Sequence, residues 1–235
     1  MKMGIIAAGR GERLAQAGIP VPKPLVPIGG KPLIARIIEA GVGLGVASVA
    51  CVVNELNPAV GDFVRSCGWP LPVDLVVKTT PNSMESLFCL APYLSGEPFL
   101  LSTVDVVFGP GILNTFLSEA RALADSDGAL AITRYVDDER PLWVAVDDQS
   151  RITAMGDAAA GSGYVTAGFY HLAPGAFAEI DAARKRRLNS LRQFLGHLVE
   201  SGYRLHGVPV GKTVDVDLPA DIVAAEDYVR ESQAR

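Results

Sequence analysis

Two close glycines, an arginine and a lysine follow an apolar run at the start of the chain. Gly9, Gly11 and Arg13 lie in AAGRGERL directly after MGIIAA, and Pro22 and Lys23 follow in VPKPL. Glycine lets backbone N–H groups approach a phosphate closely. A guanidinium can grip phosphate oxygens at two points, and an ammonium adds a compact charge. Prolines at positions 20, 22 and 24 restrict the backbone around Lys23, so its charge is held in place. Together these residue types read as a polyphosphate cradle. The plain alternative for the Gly pair alone is a tight turn after a strand.

Two better-known phosphate motifs do not fit. The dinucleotide fingerprint needs a third glycine and a later acid. Here Leu14 and Lys31 stand at those positions. The P-loop pattern has its tail in Gly211, Lys212 and Thr213, but His206 replaces its leading glycine and an acidic strand follows where a helix is needed.

Carboxylates supply the second half of the chemistry. Asp105 closes the apolar run PFLLSTVD. An ionised Asp in such a setting is costly without a partner, and a bound cation is one. A turn or helix cap is the bland reading. Asp215 and Asp217 alternate with valine in TVDVD, so their side chains share a face of a strand. Capping of the last helix is the competing role for Asp217. Asp221, Glu226 and Asp227 read as solvent-facing.

The elements that must position these residues alternate in type. KMGIIAA, VASVACVVN, VDLVVK and PFLLSTVDVVF read as strands. The segments between and after them, PLIARIIEAGVGLG, NPAVGDFVRSC, SMESLFCLAPYL and GILNTFLSEARALA, read as helices, the first with Leu33, Ile34, Ile37, Ile38 and Val42 recurring at helical spacing. Repeated βα units predict a parallel sheet with helices on both faces. The second half changes character. GALAITRYV, LWVAVDD, RITAMG and YVTAGFYHL read as successive strands, with DDQSR as a hairpin turn. Helices over roughly 174–183 and 189–201, the strand YRLHGVPV and a last helix from PADIVAAEDYVRE complete the chain. The expectation is one α/β domain over 1–235 with a small β insertion.

Composition limits the partners. Net charge is −5 over 235 residues, so a nucleic-acid partner is disfavoured and any phosphate site is a local pocket. Three cysteines without a CxxC pair argue against a disulfide framework or a zinc site. The longest apolar run is broken by glycine and too short to span a bilayer. The N-terminal apolar run is too short for a signal peptide core. A soluble cytoplasmic protein is expected, with no membrane partner. The three histidines share no ligand spacing, and RKRR at Arg184–Arg187 reads as a solvated helix end.

The stretch GIIAAGRGERL…VPKPLVPIGGKPLI closely resembles the opening of the nucleotidyltransferases that make NDP-sugars and related activated phosphates. That group includes sugar-1-phosphate, phosphocholine, inositol-phosphate and molybdenum-cofactor enzymes. The resemblance implies a three-layer Rossmann-like nucleotide-diphospho-sugar transferase fold with a mixed, mostly parallel sheet. It implies Mg²⁺, held by Asp105 and by Asp217 or Asp215, since TVDVDLPAD resembles the family's closing DxDTPED. Leu218 and Ala220 depart from that pattern. Ala7, Ala8, Gly9 and Gly11, with Thr80, Asn82 and Ser83, would meet the nucleotide, while Arg13 and Lys23 would act on the phosphates. YVTAGFYHL resembles the family's NAGIY strand and makes Tyr164 and Thr166 acceptor residues, with Thr166 in place of Asn. NSMESL looks more like the phosphocholine and polyol-phosphate branches than like the PLGTA segment of hexose-1-phosphate enzymes.

The implied partners are a nucleoside triphosphate and a small phosphorylated acceptor, with pyrophosphate as the leaving group; a homo-oligomer stays open. A nucleotide-sugar glycosyltransferase and a non-catalytic nucleotide-binding relative are the alternatives. Thr103 stands where the first acid of a glycosyltransferase DxD motif is needed, and the loop charges that regulatory relatives tend to lose are all present.

Overall fold

The computed structural model describes residues 1–136 and 141–233. Seven strands form the main sheet: β1 (Lys2–Ala7), β2 (Val49–Val53), β3 (Val73–Val77), β4 (Phe99–Thr103), β5 (Gly128–Thr133), β6 (Val165–Leu172) and β7 (Leu205–Pro209). Their order across the sheet is β7-β5-β6-β4-β1-β2-β3. β1 pairs in parallel with β2 and β4, β2 with β3, and β5 with β7. β6 runs antiparallel between β4 and β5. The expected mixed, mostly parallel sheet is therefore observed, with one reversed strand.

Period-two alternation sends neighbouring side chains to opposite layers. Met3, Ile5 and Ala7 join a core with α2 (Leu33–Gly43), α3 (Pro58–Ser66), α5 (Ile112–Ala122) and α8 (Pro219–Gln233). Ile6 and Ala8 join a second core on the other face, with α4 (Ser83–Leu94) and α7 (Leu191–Glu200). A short α1 (Glu12–Gln16) follows the Gly loop, and α6 (Ile180–Lys185) continues a 3-10 stretch over Pro174–Glu179. The β insertion is the hairpin of Val144–Val146 with Ile152–Met155. No helix among the described residues is long and apolar enough to cross a membrane.

One expected strand is two. The run PFLLSTVDVVF leaves the main sheet after Thr103. Val106–Phe108 pairs instead, antiparallel, with Thr213–Asp215. The Asp105 carbonyl accepts the Val216 N–H at 3.0 Å, which extends this ribbon. That pairing brings positions 105 and 217, far apart in the chain, to one end of the sheet. It is the carboxyl end of β1 and β4, where open α/β sheets bind ligands.

Candidate active site

The Gly loop leaves β1 at Ala7. Gly11 caps the start of α1 with φ 63°, a left-handed conformation that side chains disfavour. A Cβ there would also lie 3.0 Å from the Lys23 Cβ. Gly11 thus serves the close approach of two loop strands. At Gly9 an added Cβ meets nothing within 4 Å, because the position faces an open cleft. The loop is tied from below by Asn54, only 2% exposed. Its Nδ2 donates to the Ala8 carbonyl at 3.0 Å. Its Oδ1 accepts from the Leu56 N–H and the Thr79 hydroxyl.

Lys23 begins a single 3-10 turn, Lys23–Leu25. Its Nζ donates to Asp105 Oδ2 at 2.7 Å and to Asp217 Oδ1 at 2.6 Å. Arg13 Nη1 lies 3.4 Å from the other oxygen of Asp217. The Lys23 side chain is only 10% exposed. Burial alone would lower its pKa, but Asp105 and Asp217 outweigh burial and raise it above the ordinary lysine range. Burial would likewise raise the Asp105 carboxyl, yet the Lys23 charge, with hydrogen bonds from Lys23 and Thr103, holds it below the usual carboxylate range.

Two cavities meet at this cluster. The larger, about 590 Å³, is lined by Ala7, Ala8, Gly9, Gly11, Arg13 and Lys23 on one side, and by Thr80, Asn82, Ser83, Asp105 and Asp217 on the other. The smaller, about 120 Å³, is lined among others by Arg13, Thr166, Arg192, Asp215 and Asp217. Arg13 and Asp217 belong to both. Nearly all the residues singled out in the sequence therefore converge. Tyr164 is outside the lining: its hydroxyl accepts from Arg134 at 3.1 Å, and the guanidinium stacks 4.5 Å above its ring.

Several side chains have structural partners as well. Asn82 caps α4, accepting the Glu85 N–H at 3.0 Å. Ser83 Oγ accepts the Leu191 N–H at 2.9 Å, so the first turns of α4 and α7 are joined beside the cleft. Thr80 and Ser86 share a hydroxyl–hydroxyl bond of 2.6 Å. The cap of α8 falls to Asp221, not Asp217: Asp221 Oδ2 accepts the N–H groups of Asp217 at 2.9 Å and Leu218 at 2.7 Å. That is the reach-back half of a capping box. Glu226 accepts the Gly29 N–H, so neither it nor Asp221 is merely solvent-facing.

Asn54, Ser86, Thr133 and Arg192 were not singled out in the sequence. An Asn closing the apolar strand VACVVN is the one of these with a local signal, since a buried amide needs partners.

A mixed sheet of this order, with a Gly-rich basic loop after its first strand and carboxylates at the strand ends, defines a Rossmann-like nucleotidyltransferase fold. More narrowly, the chain belongs to the family of the MobA-like NTP transferase domain, whose model matches residues 3–200. Among curated proteins it is 33% identical over 156 residues to CMP-5'-(3-aminopropyl)phosphonate synthase of Streptomyces rubellomurinus, covering 58% of this chain and 24% of that protein. It is 35% identical over 115 residues to N-acetylmuramate alpha-1-phosphate uridylyltransferase of Neisseria meningitidis serogroup B, covering 46% of this chain and 48% of that one. The matches thus span less than half of either relative's length. The solved inositol-1-phosphate CTP transferase from T. maritima shares the fold, with a TM-score of 0.81 at 23% identity, covering 98% of this chain and 96% of that one.

Proposed function

We propose that the protein transfers a nucleotidyl group from a nucleoside triphosphate to a small phosphate monoester or alkylphosphonate and releases pyrophosphate. The observation that carries this reading is the junction itself. Arg13 and Asp217 line both cavities, and Lys23, which holds Asp105 and Asp217 together, lines the larger. A triphosphate in the larger cleft and an acceptor in the smaller would place both anions at the same charged cluster. The names of the relatives fit this reading, since they join nucleotides to phosphonate, sugar-phosphate and inositol-phosphate groups.

In this reading the acceptor's phosphate oxygen attacks the α-phosphorus in line. No general base is needed, because a phosphate monoester has a second pKa of about 6 and is largely dianionic near neutral pH. The chain's work is alignment and charge neutralisation. Backbone N–H groups around Gly9 and Gly11 receive the triphosphate. Arg13 holds the leaving pyrophosphate, and Lys23 meets the α-phosphate. Thr166 and Arg192 orient the acceptor from the smaller lobe.

The donor set fits Mg²⁺. Two carboxylate oxygens already converge on one cation, the Lys23 ammonium, and Mg²⁺ is commonly held by one or two carboxylates with substrate phosphates and water. Among the described residues no group of three or more His, Cys, Asp or Glu offers a closed metal cage, so the ion would share its coordination with substrate. Asp105 and Asp217 would hold it, and its charge would offset that developing on the phosphate oxygens. The three cysteines are free thiols, in keeping with the cytoplasmic setting we assign.

The test is pyrophosphate release with Mg²⁺, crossing CTP, UTP, GTP, ATP and dTTP against sugar-1-phosphates, inositol phosphate, phosphocholine and aminoalkylphosphonates. Release that needs one triphosphate and one acceptor, and that vanishes in Asp105→Ala, is expected. A triphosphate that binds without release from any pair would favour a regulatory role. No triphosphate binding would overturn the reading of the Gly loop.

A further inference from the structure

We infer that the Lys23 ammonium is the resident cation of the Asp105–Asp217 site and keeps divalent metal out until a triphosphate arrives. This rests on the nucleotidyl-transfer reading for what the arriving ligand is, and on the geometry alone for the rest.

One nitrogen satisfies both carboxylates, at 2.7 Å and 2.6 Å. Asp105 and Asp217 together carry two negative charges; Lys23 neutralises one, and Arg13 stands 3.4 Å from the remaining Asp217 oxygen. An ion held by both carboxylates at the ~2.0–2.1 Å that Mg²⁺ requires would stand directly beside the ammonium, on lone pairs the ammonium leaves or on the ones it holds. A divalent cation and an ammonium on the same two carboxylates repel at that distance. Metal entry is therefore opposed for as long as Lys23 stays.

The local backbone at Lys23 is held. The 3-10 turn is fixed by the Leu25 N–H to Pro22 and the Val26 N–H to Lys23. The side chain can swing, and the larger cleft beside it is open on the Gly9 side. Without a triphosphate, a nearly buried ammonium leaving two carboxylates would find in the cleft lining only Glu12, already 3.4 Å from Arg10, and would face the metal's charge. With a triphosphate in the cleft, it exchanges carboxylate for phosphate oxygens. The exchange is thus coupled: metal reaches the aspartates as Lys23 reaches the phosphates. Metal and triphosphate enter together, and the bare protein stays metal-poor.

The experiment measures Mn²⁺ binding to the full chain by electron paramagnetic resonance, with no nucleotide or acceptor present. Wild type is compared with Lys23→Met, Lys23→Gln and the double variant Lys23→Met/Asp217→Asn. Removing a like charge from the site should tighten Mn²⁺ by about tenfold or more in both single variants, and the double variant should lose the gain. Thermal melts supply a second reading: added Mn²⁺ should raise the Tm of Lys23→Met and leave wild type unmoved. Folded single variants that bind Mn²⁺ no tighter than wild type would overturn the inference. So would wild-type protein that binds one Mn²⁺ tightly on its own, whatever the variants do. Because no substrate is present, this result and the pyrophosphate assay can fail independently.

Discussion

Arg184 forms a bidentate pair with Glu85, Nε to Oε1 at 2.8 Å and Nη2 to Oε2 at 2.7 Å. The guanidinium also stacks 5.5 Å from the centre of the Phe88 ring. Glu85 is the residue whose N–H is capped by Asn82, so the pair braces the turn that lines the larger cleft. The basic run RKRR is therefore not simply a solvated helix end. Arg186 also has partners, His197 Nδ1 and Glu200. Arg184→Ala is expected to raise the triphosphate KM several-fold with kcat little changed. Its cost in stability is small, about 1 kcal/mol or less, because the pair is half exposed and screened. Arg184→Lys should recover only part of the KM, since an ammonium cannot reproduce the fork. Steady-state kinetics and urea melts on both variants check this. The Glu85 carboxyl lies below its usual range, chiefly through hydrogen bonds from Arg184. Its stabilising contribution is therefore present above the ordinary glutamate range and is lost as pH falls through the lowered value.

The two loop glycines should respond oppositely to alanine. Gly11→Ala meets both the left-handed backbone and the Lys23 Cβ, so a loss of about 1–2 kcal/mol or more is expected. Gly9→Ala adds a methyl to open space and should melt within about 0.5 kcal/mol of wild type. Its penalty should appear only in triphosphate affinity, because the methyl occupies the approach of phosphate to backbone. Calorimetric melts and titration of each variant with the triphosphate identified in the assay separate the two effects. A Gly9→Ala protein that binds triphosphate normally would remove the cleft face of the loop from the site.

How far the site was legible depends on sequence distance. Gly9, Gly11, Arg13 and Lys23 form a local pattern, and their chemistry is visible without a fold. Asp105 and Asp217 were visible as candidates because each ends or interrupts an apolar strand. Their convergence on one nitrogen was not, because it depends on the ribbon of Val106–Phe108 with Thr213–Asp215. Periodicity cannot show that a continuous apolar run changes sheets after Thr103. The Arg184–Glu85 brace spans 99 positions and the Ser83–Leu191 bond 108, so neither leaves a local trace. Asp221 misled for a different reason. A helix's third residue reaching back to its cap looks, in sequence, like any exposed acid on the first turn.

The pH–rate profile should have an acid limb and no basic limb near neutrality. Lys23 is raised above the ordinary lysine range and Asp105 held below the carboxylate range. The raised lysine contributes at every pH below the ordinary lysine range, and that contribution is lost only as pH rises through the raised value. The lowered carboxylate contributes above the ordinary carboxylate range, and that contribution is lost only as pH falls through the lowered value. Between about pH 5 and 9 neither changes charge. The acceptor's own phosphate titrates within this range, near pKa 6. For a phosphate acceptor, kcat/KM should rise to a plateau above about pH 7. A bell with a basic limb below pH ~9 would point to an enzyme acid or base that this arrangement lacks.

Asp217 and Asp215 alternate on one segment, yet the structure gives them different neighbours. Asp217 reaches both Lys23 and Arg13, and it lines both cavities. Asp215 ends the short ribbon and lines only the smaller lobe of the two. Asp217→Asn removes a full charge from the junction where both phosphates meet, so kcat should fall by about 10²–10³, comparable to the loss of a preorganised charge-stabilising group elsewhere. Asp215→Asn should act mainly on the acceptor KM, with triphosphate KM unchanged. The two single variants, assayed with triphosphate and acceptor varied separately, distinguish the positions. Equal losses of kcat in both would mean that the second cation ligand is shared across the segment, and a larger loss at Asp215 would transfer the role from Asp217 to it.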